Sequence, residues 1–416
     1  MEVVCNIKSE PKFCIMNTLH TEVPPGGDAR VKRQGRTWLL LGALWVVISG
    51  TAILSAQDGA RQNALALEQQ GQNAEAEQAW QNIAGIDPKN AEAFAHLGLI
   101  EARQEHYDEA VANYRKAIAL NPELPGVQMN LGLALFKAKD FKGSIKPFTA
   151  ELRKHPDDQR LTILLGMAHY GMGDYFVAIP YLKKAAERDP QSLPLRLTLA
   201  HSCLWSKQYQ CVLDVYKEIL TLNAESAEAD MLVGEALDEK GDNAGATEQF
   251  RAAVRANPKE PNAHFGLAYL LWTQSQLTEA VTEFQAELDN DPQHLQARAY
   301  LGDSYVQLKD YAKAQPELEK VLAADASSAL AHRDLGIVYA EEGRKDDAIS
   351  ELQKAIELDP KDVTPHWRLA KLYQSTGKKE EAKAEFAKAS TMNKESIQAS
   401  QALYQKLAEA HGTPQP

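Results

Sequence analysis

The chain is poor in the residues that most catalytic and metal sites need. It has four cysteines in 416 residues, Cys5, Cys14, Cys203 and Cys211. No two are spaced CxxC, which argues against a zinc ribbon or a thioredoxin-type redox pair. There is no basic excess: 45 Lys and Arg stand against 57 Asp and Glu, a net charge of −12. The electrostatic footprint of a nucleic-acid binder is therefore missing, and nucleic acid is not an expected partner. Aromatic residues make up only 7%. No phosphate-binding GxxxxGK[ST] loop, HExxH, GxSxG or dinucleotide fingerprint occurs. The histidines are scattered singly with no i, i+4 pair, so a metal site would have to be assembled from distant segments. The expectation is a protein with no catalytic residue, no metal and no cofactor.

Long apolar runs are also scarce, with one exception. Residues 37–57, TWLLLGALWVVISGTAILSAQ, carry no charge, and at about 1.5 Å per helical residue they reach across a bilayer's hydrocarbon core. Arg30, Lys32, Arg33 and Arg36 precede the run and Asp58 comes directly after it. That charge bias keeps the N-terminus inside and exports the chain beyond the run. Two readings stand: an uncleaved anchor, or a signal peptide cut after Ala52 or Ala56. Residues 1–36 then form a disordered, basic cytoplasmic N-terminus. The stretch VKRQGR at 31–36 looks like a bacterial signal n-region, as if translation began at Val31. The expected location is the bacterial cell envelope, inner-membrane anchored with the remainder in the periplasm, or secreted if the segment is cut.

What the chain has in quantity is a repeat. From residue 57 to 396 a pattern recurs every 34 residues without insertion or deletion, in units starting at 57, 91, 125, 159, 193, 227, 261, 295, 329 and 363. The eighth position is always small: Ala64, Gly98, Gly132, Gly166, Ala200, Gly234, Ala268, Gly302, Gly336 and Ala370. The twentieth is alanine in eight units, with Ser144 and Val212 departing. The twenty-fourth is always large, as in Trp80, Tyr114, Phe148, Leu182 and Phe250. The thirty-second is proline in seven units, with Ala224, Ala326 and Lys394 departing. Small residues at fixed points let two helices approach closely, and a large residue opposite fills the space beside them. Proline cannot continue a helix and so ends the unit.

Leu97, Gly98, Ala110, Tyr114, Ala117 and Pro122 fall on the signature positions of the tetratricopeptide repeat, which this array closely resembles. The resemblance covers about four-fifths of the chain. It implies an all-α fold: a right-handed α-solenoid, or superhelix, of about ten 34-residue helix-turn-helix repeats. Residues 397–416 would add a C-terminal capping helix and tail, with Ile397, Leu403, Tyr404 and Leu407 on one face, because terminal repeats need a polar outer side.

The resemblance also implies a concave groove lined by the first helix of each unit, chiefly at its second, fifth, ninth, twelfth and thirteenth positions. At and beside those positions stand Met129, Leu133, Phe136, Ile163, Met167, Tyr170, Leu197, Trp205, Met231, Phe265, Tyr269 and Trp272. Family members that grip acidic C-terminal peptides place lysine and asparagine or arginine there, and this chain does not. The expected guest is a protein or peptide with an apolar or aromatic segment, and the expected role is a non-enzymatic interaction scaffold outside the cytoplasm. The alternatives are an accessory subunit of an envelope export or assembly complex, or an array that self-associates into a homo-oligomer. The membrane would be a further partner if residues 37–57 are retained. Cys203 and Cys211 lie in the two helices of one hairpin, as a disulfide or as two small core thiols.

Overall fold

The computed structural model describes residues 58–223 and 225–410. The apolar run at 37–57 and the basic residues before it lie outside them. Chain contacts separate Met1–Asn63 from Ala64–Pro416. Of the first unit, only the opening turns of one helix are described.

Every regular element among the described residues is a helix. The first three hairpins are α1 (58–69) with α2 (Asn73–Ile86), α3 (Ala91–Arg103) with α4 (Tyr107–Leu120), and α5 (Val127–Lys137) with α6 (Phe141–Lys154). Next come α7 (Gln159–Gly171) with α8 (Tyr175–Arg188), α9 (Leu193–Trp205) with α10 (Tyr209–Leu222), and α11 (Ala227–Glu239) with α12 (Asn243–Ala256). The last four are α13 (Ala263–Thr273) with α14 (Leu277–Asn290), α15 (Leu295–Gln307) with α16 (Tyr311–Ala324), α17 (Ala329–Glu341) with α18 (Lys345–Leu358), and α19 (Val363–Ser375) with α20 (Lys379–Ala410). From α2 to α20 each helix packs on its chain neighbours. In addition α3 touches α5, and each first helix from α9 to α17 touches the next first helix. This is an α-solenoid of stacked helical hairpins, with the first helices lining one side.

The small eighth residue does what its size suggests. A Cβ built on Gly132 would stand 2.5 Å from the Phe148 ring, and one on Gly302 would stand 2.6 Å from Leu318. The same close approach joins Gly98 to Tyr114, Gly234 to Phe250 and Gly336 to Leu352. The large twenty-fourth side chain thus rests on bare backbone, and Phe148, Leu182, Leu318 and Leu352 are wholly buried.

Each hairpin turns in one way. The second residue beyond the first helix adopts positive φ, as Gly71, Glu105, Lys139, Gly173, Lys207, Gly241, Ser275, Lys309, Gly343 and Gly377. The next amide donates to the carbonyl five residues back at 2.8–3.0 Å in all ten hairpins, as from His106 to Glu101 and from Asp310 to Tyr305. This is the Schellman closure of a helix C-terminus.

The unit ends are held by more than proline. Asp or Asn one position before it accepts from the amide two residues on, as Asp87 from Lys89 and Asn257 from Lys259. Such side-chain turns stop a helix by themselves. Where Ala326 replaces proline, α16 still stops, because Asp325 accepts from both the amide and the hydroxyl of Ser327. At Asn393-Lys394 the helix does not stop. The expected capping helix is therefore the distal part of a continuous 32-residue α20, with Ile397 57% exposed. The side chains of Leu403, Tyr404 and Leu407 lie outside the described set.

One further staple runs along the C-terminal hairpins. Position four of the unit reaches position twenty-three across each: His264 Nδ1 to Glu283 (2.6 Å), Arg298 to Glu317 (2.5 Å), His332 to Glu351 (2.5 Å) and His366 to Glu385 (2.5 Å). Three of the histidines that stand singly in the sequence, His264, His332 and His366, are in space rungs of this ladder.

Candidate concave binding surface

The turn geometry fixes which side of each first helix looks away from its partner helix. Residues five, nine, twelve and thirteen of a unit lie three or four apart, so they share a face. Ten of the twelve residues expected on the groove are half-buried or exposed: Met129, Leu133, Phe136, Ile163, Met167, Tyr170, Leu197, Trp205, Tyr269 and Trp272. Met231 and Phe265 are not open, at 7% and 4% exposure. Phe265 packs into the hairpin and the next unit, its ring centroid 4.7 Å from His294, 6.1 Å from Phe284 and 6.3 Å from Tyr300. It is a core residue, and the fifth position serves the inter-repeat seam there rather than the groove.

The open residues gather into two aromatic groups. In the first, Tyr170, Tyr175 and Trp205 pack with centroids 4.7–5.7 Å apart, and His201 lies 5.1 Å from Trp205. Trp205 remains 37% exposed. In the second, Tyr269, Trp272 and Tyr300 stand 5.0–5.8 Å apart. Burial pushes the Tyr300 phenol up to about 12 and raises that of Tyr170 as well, so both hydroxyls stay neutral donors.

Sequence reasoning missed the polar half of this face. Trp272 Nε1–H donates to Asp303 Oδ2 at 2.6 Å, and Gln307 Nε2 donates to the same oxygen at 2.5 Å. Arg333 donates to Asp303 (2.6 Å), Asp334 (2.7 Å) and Asp362 (3.3 Å). One guanidinium thus ties three successive hairpins through three carboxyl groups. Although burial works against its charge, Asp334, Asp303 and Asp362 hold Arg333 protonated above its ordinary range. Asp334 is 1% exposed and its Oδ2 has no hydrogen-bond partner. Burial pushes its carboxyl up to about 8, Arg333 opposing and Asp303 adding to the rise. The signal was there: Asp303 and Arg333 occupy the ninth and fifth positions of neighbouring units.

Also missed were the carboxylates of α11. Glu228, Glu235, Asp238 and Glu239 occupy its second, ninth, twelfth and thirteenth positions. Glu228 Oε1 meets His201 Nε2 at 2.8 Å, and Glu239 accepts from the Tyr209 hydroxyl at 3.2 Å. Burial lifts Glu235 to about 7, with His201 pulling the other way. Burial and the adjacent Glu239 raise Asp238.

Cys203 and Cys211 bracket the turn between α9 and α10, their sulfurs 2.01 Å apart across a Cα separation of 5.7 Å. No group of three or more His, Cys, Asp or Glu side chains among the described residues is arranged to hold a metal. No helix among them is long and apolar enough to cross a membrane.

A stack of ten such hairpins with one face of open side chains defines a repeat protein built for surface contact. Profiles described as tetratricopeptide repeat match residues 160–192, 213–261, 231–294, 301–363 and 339–407, and one described as TPR repeat matches 98–139, so together they span more than half of the chain. The chain belongs to the tetratricopeptide-repeat family, whose arrays act as protein-interaction scaffolds. It is 21% identical over 229 residues to BBSome complex member BBS4 of Bos taurus, covering 52% of this chain and 44% of that protein. It is 28% identical over 155 residues to protein O-mannosyl-transferase TMTC1 of Mus musculus, covering 35% of this chain and 16% of that protein. The chain thus matches less than half the length of these curated relatives. Among solved structures, it resembles MamA 41-end from Desulfovibrio magneticus RS-1 at 24% identity and a TM-score of 0.37, covering 41% of this chain and 96% of that one.

Proposed function

We propose that the protein is a non-enzymatic scaffold that holds an apolar or aromatic-rich segment of another protein on the concave face of its array, outside the cytoplasm. The observation that carries this reading is the set of open Met, Leu, Ile, Phe, Tyr and Trp side chains on α5, α7 and α9, from Met129 to Trp205, with Tyr269 and Trp272 on α13 beyond the acidic edge of α11. An open apolar surface of that kind marks an interface. Peptide selection on the full chain tests it. The enriched sequences are expected to be rich in apolar and aromatic residues, and the Met167→Ser, Tyr170→Ser, Trp205→Ser triple variant is expected to lose them while keeping its helix content. Enrichment of sequences without apolar residues, or equal capture by the triple variant, overturns the reading. Phe265 is left out of the variant because it is core.

The extracytoplasmic part of the proposal rests on the basic residues 30–36 ahead of the uncharged run 37–57. The pairing of Cys203 with Cys211 across one hairpin turn accords with an oxidising compartment. Cell fractionation combined with thiol blocking of the native protein tests both. Membrane or extracytoplasmic recovery with a cross-linked Cys203–Cys211 peptide is expected. A cytosolic chain with both thiols blocked removes this part and leaves the groove untouched.

A further inference from the structure

The concave face changes character at its centre. Between the two aromatic groups runs α11, which packs on both α9 and α13. Its open edge carries Glu228, Glu235, Asp238 and Glu239, and neither α11 nor α13 contains a lysine or arginine. Lys207 and Lys240 lie in the turns that follow α9 and α11. Arg196 of α9 is already committed, donating to Glu218 at 3.1 Å. Glu235 is half-buried, and the nearby His201 is taken up by Glu228 at 2.8 Å. A carboxylate drawn out of water without a counter-charge is costly to the free protein, and a cationic guest would relieve that cost. The flanking surfaces suit the same guest. Trp205 stands open on one side, with His201 and Glu228 beside it, and Tyr269 lies within electrostatic reach of Asp238 on the other.

Resting on the apolar-groove reading, we propose that the concave face from α9 to α13 takes a protein segment in which an arginine is flanked by apolar side chains. The guanidinium meets the carboxylates of Glu235 and Asp238, and the flanking side chains lie on Trp205 and on Tyr269 with Trp272. Arginine fits better than lysine. Its planar fork reaches two carboxylates at once, it stacks on aromatic faces, and it gives up hydration more readily than an ammonium. An acidic guest, the kind that lysine-lined arrays of this fold hold, is repelled by four carboxylates. A metal ion is disfavoured because these carboxylates do not converge on a point. Burial raises the pKa of Glu235, and His201 offsets that rise only in part.

The test keeps the protein intact and varies the probe. Capped peptides reading Leu-Phe-X-Leu-Phe, with X as Arg, Lys, Gln or Glu, are titrated against the full chain by fluorescence anisotropy at low and high salt. The arginine peptide is expected to bind about tenfold tighter than the glutamine peptide, with lysine between them and glutamate weakest. The advantage is expected to shrink as salt rises. It is also expected to vanish in the Glu235→Gln, Asp238→Asn variant, checked for native helix content. Equal binding of the arginine and glutamine peptides overturns the inference and leaves the apolar groove standing. Tighter binding of the glutamate peptide overturns it as well. Binding of none of the four overturns both readings, because a groove for apolar segments must take the glutamine peptide.

Discussion

At the scale of single residues, the array is governed by two kinds of position, and they were not equally legible. The eighth position was plain in the sequence because only Gly or Ala fits beneath the twenty-fourth side chain. Gly132 under Phe148 shows the constraint most clearly, with an added Cβ 2.5 Å from the ring. The αL position of the turn was not plain, because five of its ten residues are not glycine. Glu105, Lys139, Lys207, Ser275 and Lys309 hold φ of 59–64°, a conformation that costs an L-residue about 1–2 kcal/mol. The Schellman closure holds them there regardless. Opposite outcomes are expected for two substitutions of similar size. Lys309→Gly relieves the strained φ and is expected to stabilise by about 0.5–1 kcal/mol, after the entropy glycine adds to the unfolded chain. Gly132→Ala forces the Phe148 ring aside and is expected to destabilise by about 1–3 kcal/mol. Chemical denaturation of the two variants beside the parent chain reads both signs, and a stabilised Gly132→Ala would refute the close-contact account.

At the scale of elements, the units are separated by side-chain turns as much as by proline, which explains why the unit ends were only partly readable. Asp325 stops α16 without proline, whereas Asn393 has no comparable effect on α20. Among the described residues no further hairpin comes after Asn393, so no packed partner draws the chain back. Helix stops of this kind depend on what comes next in space, which a local sequence pattern does not contain. The knot of Asp303, Arg333, Asp334 and Asp362 is likewise an inter-element device. It was only half legible: Asp303 and Arg333 stand at groove positions of neighbouring units, but no local pattern says that a ninth and a fifth position meet across the seam or that Asp334 and Asp362 join them.

That knot has a definite pH signature. Asp334 has a folded pKa of about 8 against an ordinary 3.8. A group whose folded pKa is raised binds its proton more tightly in the native state. Its contribution is therefore complete below about pH 4 and is lost as pH climbs towards 8. Asp334→Asn removes this titration and keeps an acceptor for the Arg333 Nε–H. The parent chain is expected to lose denaturation midpoint between pH 5 and pH 8.5 relative to the Asn variant. Curves that stay parallel across that window would mean that Asp334 is ionised when folded. Removing the central cation is a harsher change. Arg333→Met leaves three carboxyl groups facing one another and is expected to cost about 3–5 kcal/mol.

At the scale of the whole array, stability is a sum of hairpins and the seams between them, because each hairpin contacts little beyond its neighbours. Such arrays do not unfold evenly when their seams differ, and here they differ. Buried residues from Ala227 to Ala382 join into one extended cluster. By contrast, the cluster centred on α6 and α7 contains only Phe148, Leu161 and Leu165 as buried members. Two of the four helices α5–α8 carry an internal proline, Pro147 in α6 and Pro180 in α8, against one, Pro316, in α15–α18, and each removes one backbone hydrogen bond. Direct contact between successive first helices is also sparsest between α5 and α9. The stretch α5–α8 should therefore open first. Native-state hydrogen exchange is expected to show its amides exchanging through local openings well below the global unfolding free energy, with α15–α18 protected to near the global limit. Equal protection across both stretches would contradict this. The weak stretch carries Met129, Leu133, Phe136, Ile163, Met167 and Tyr170, all half-buried. A loosely seamed stretch lined by methionine and aliphatic residues can repack around guests of different shape. The Arg333 knot pins the hairpins on the far side of α11, so on the proposed reading the near side adapts to a guest and the far side, beyond Trp272, stays firm.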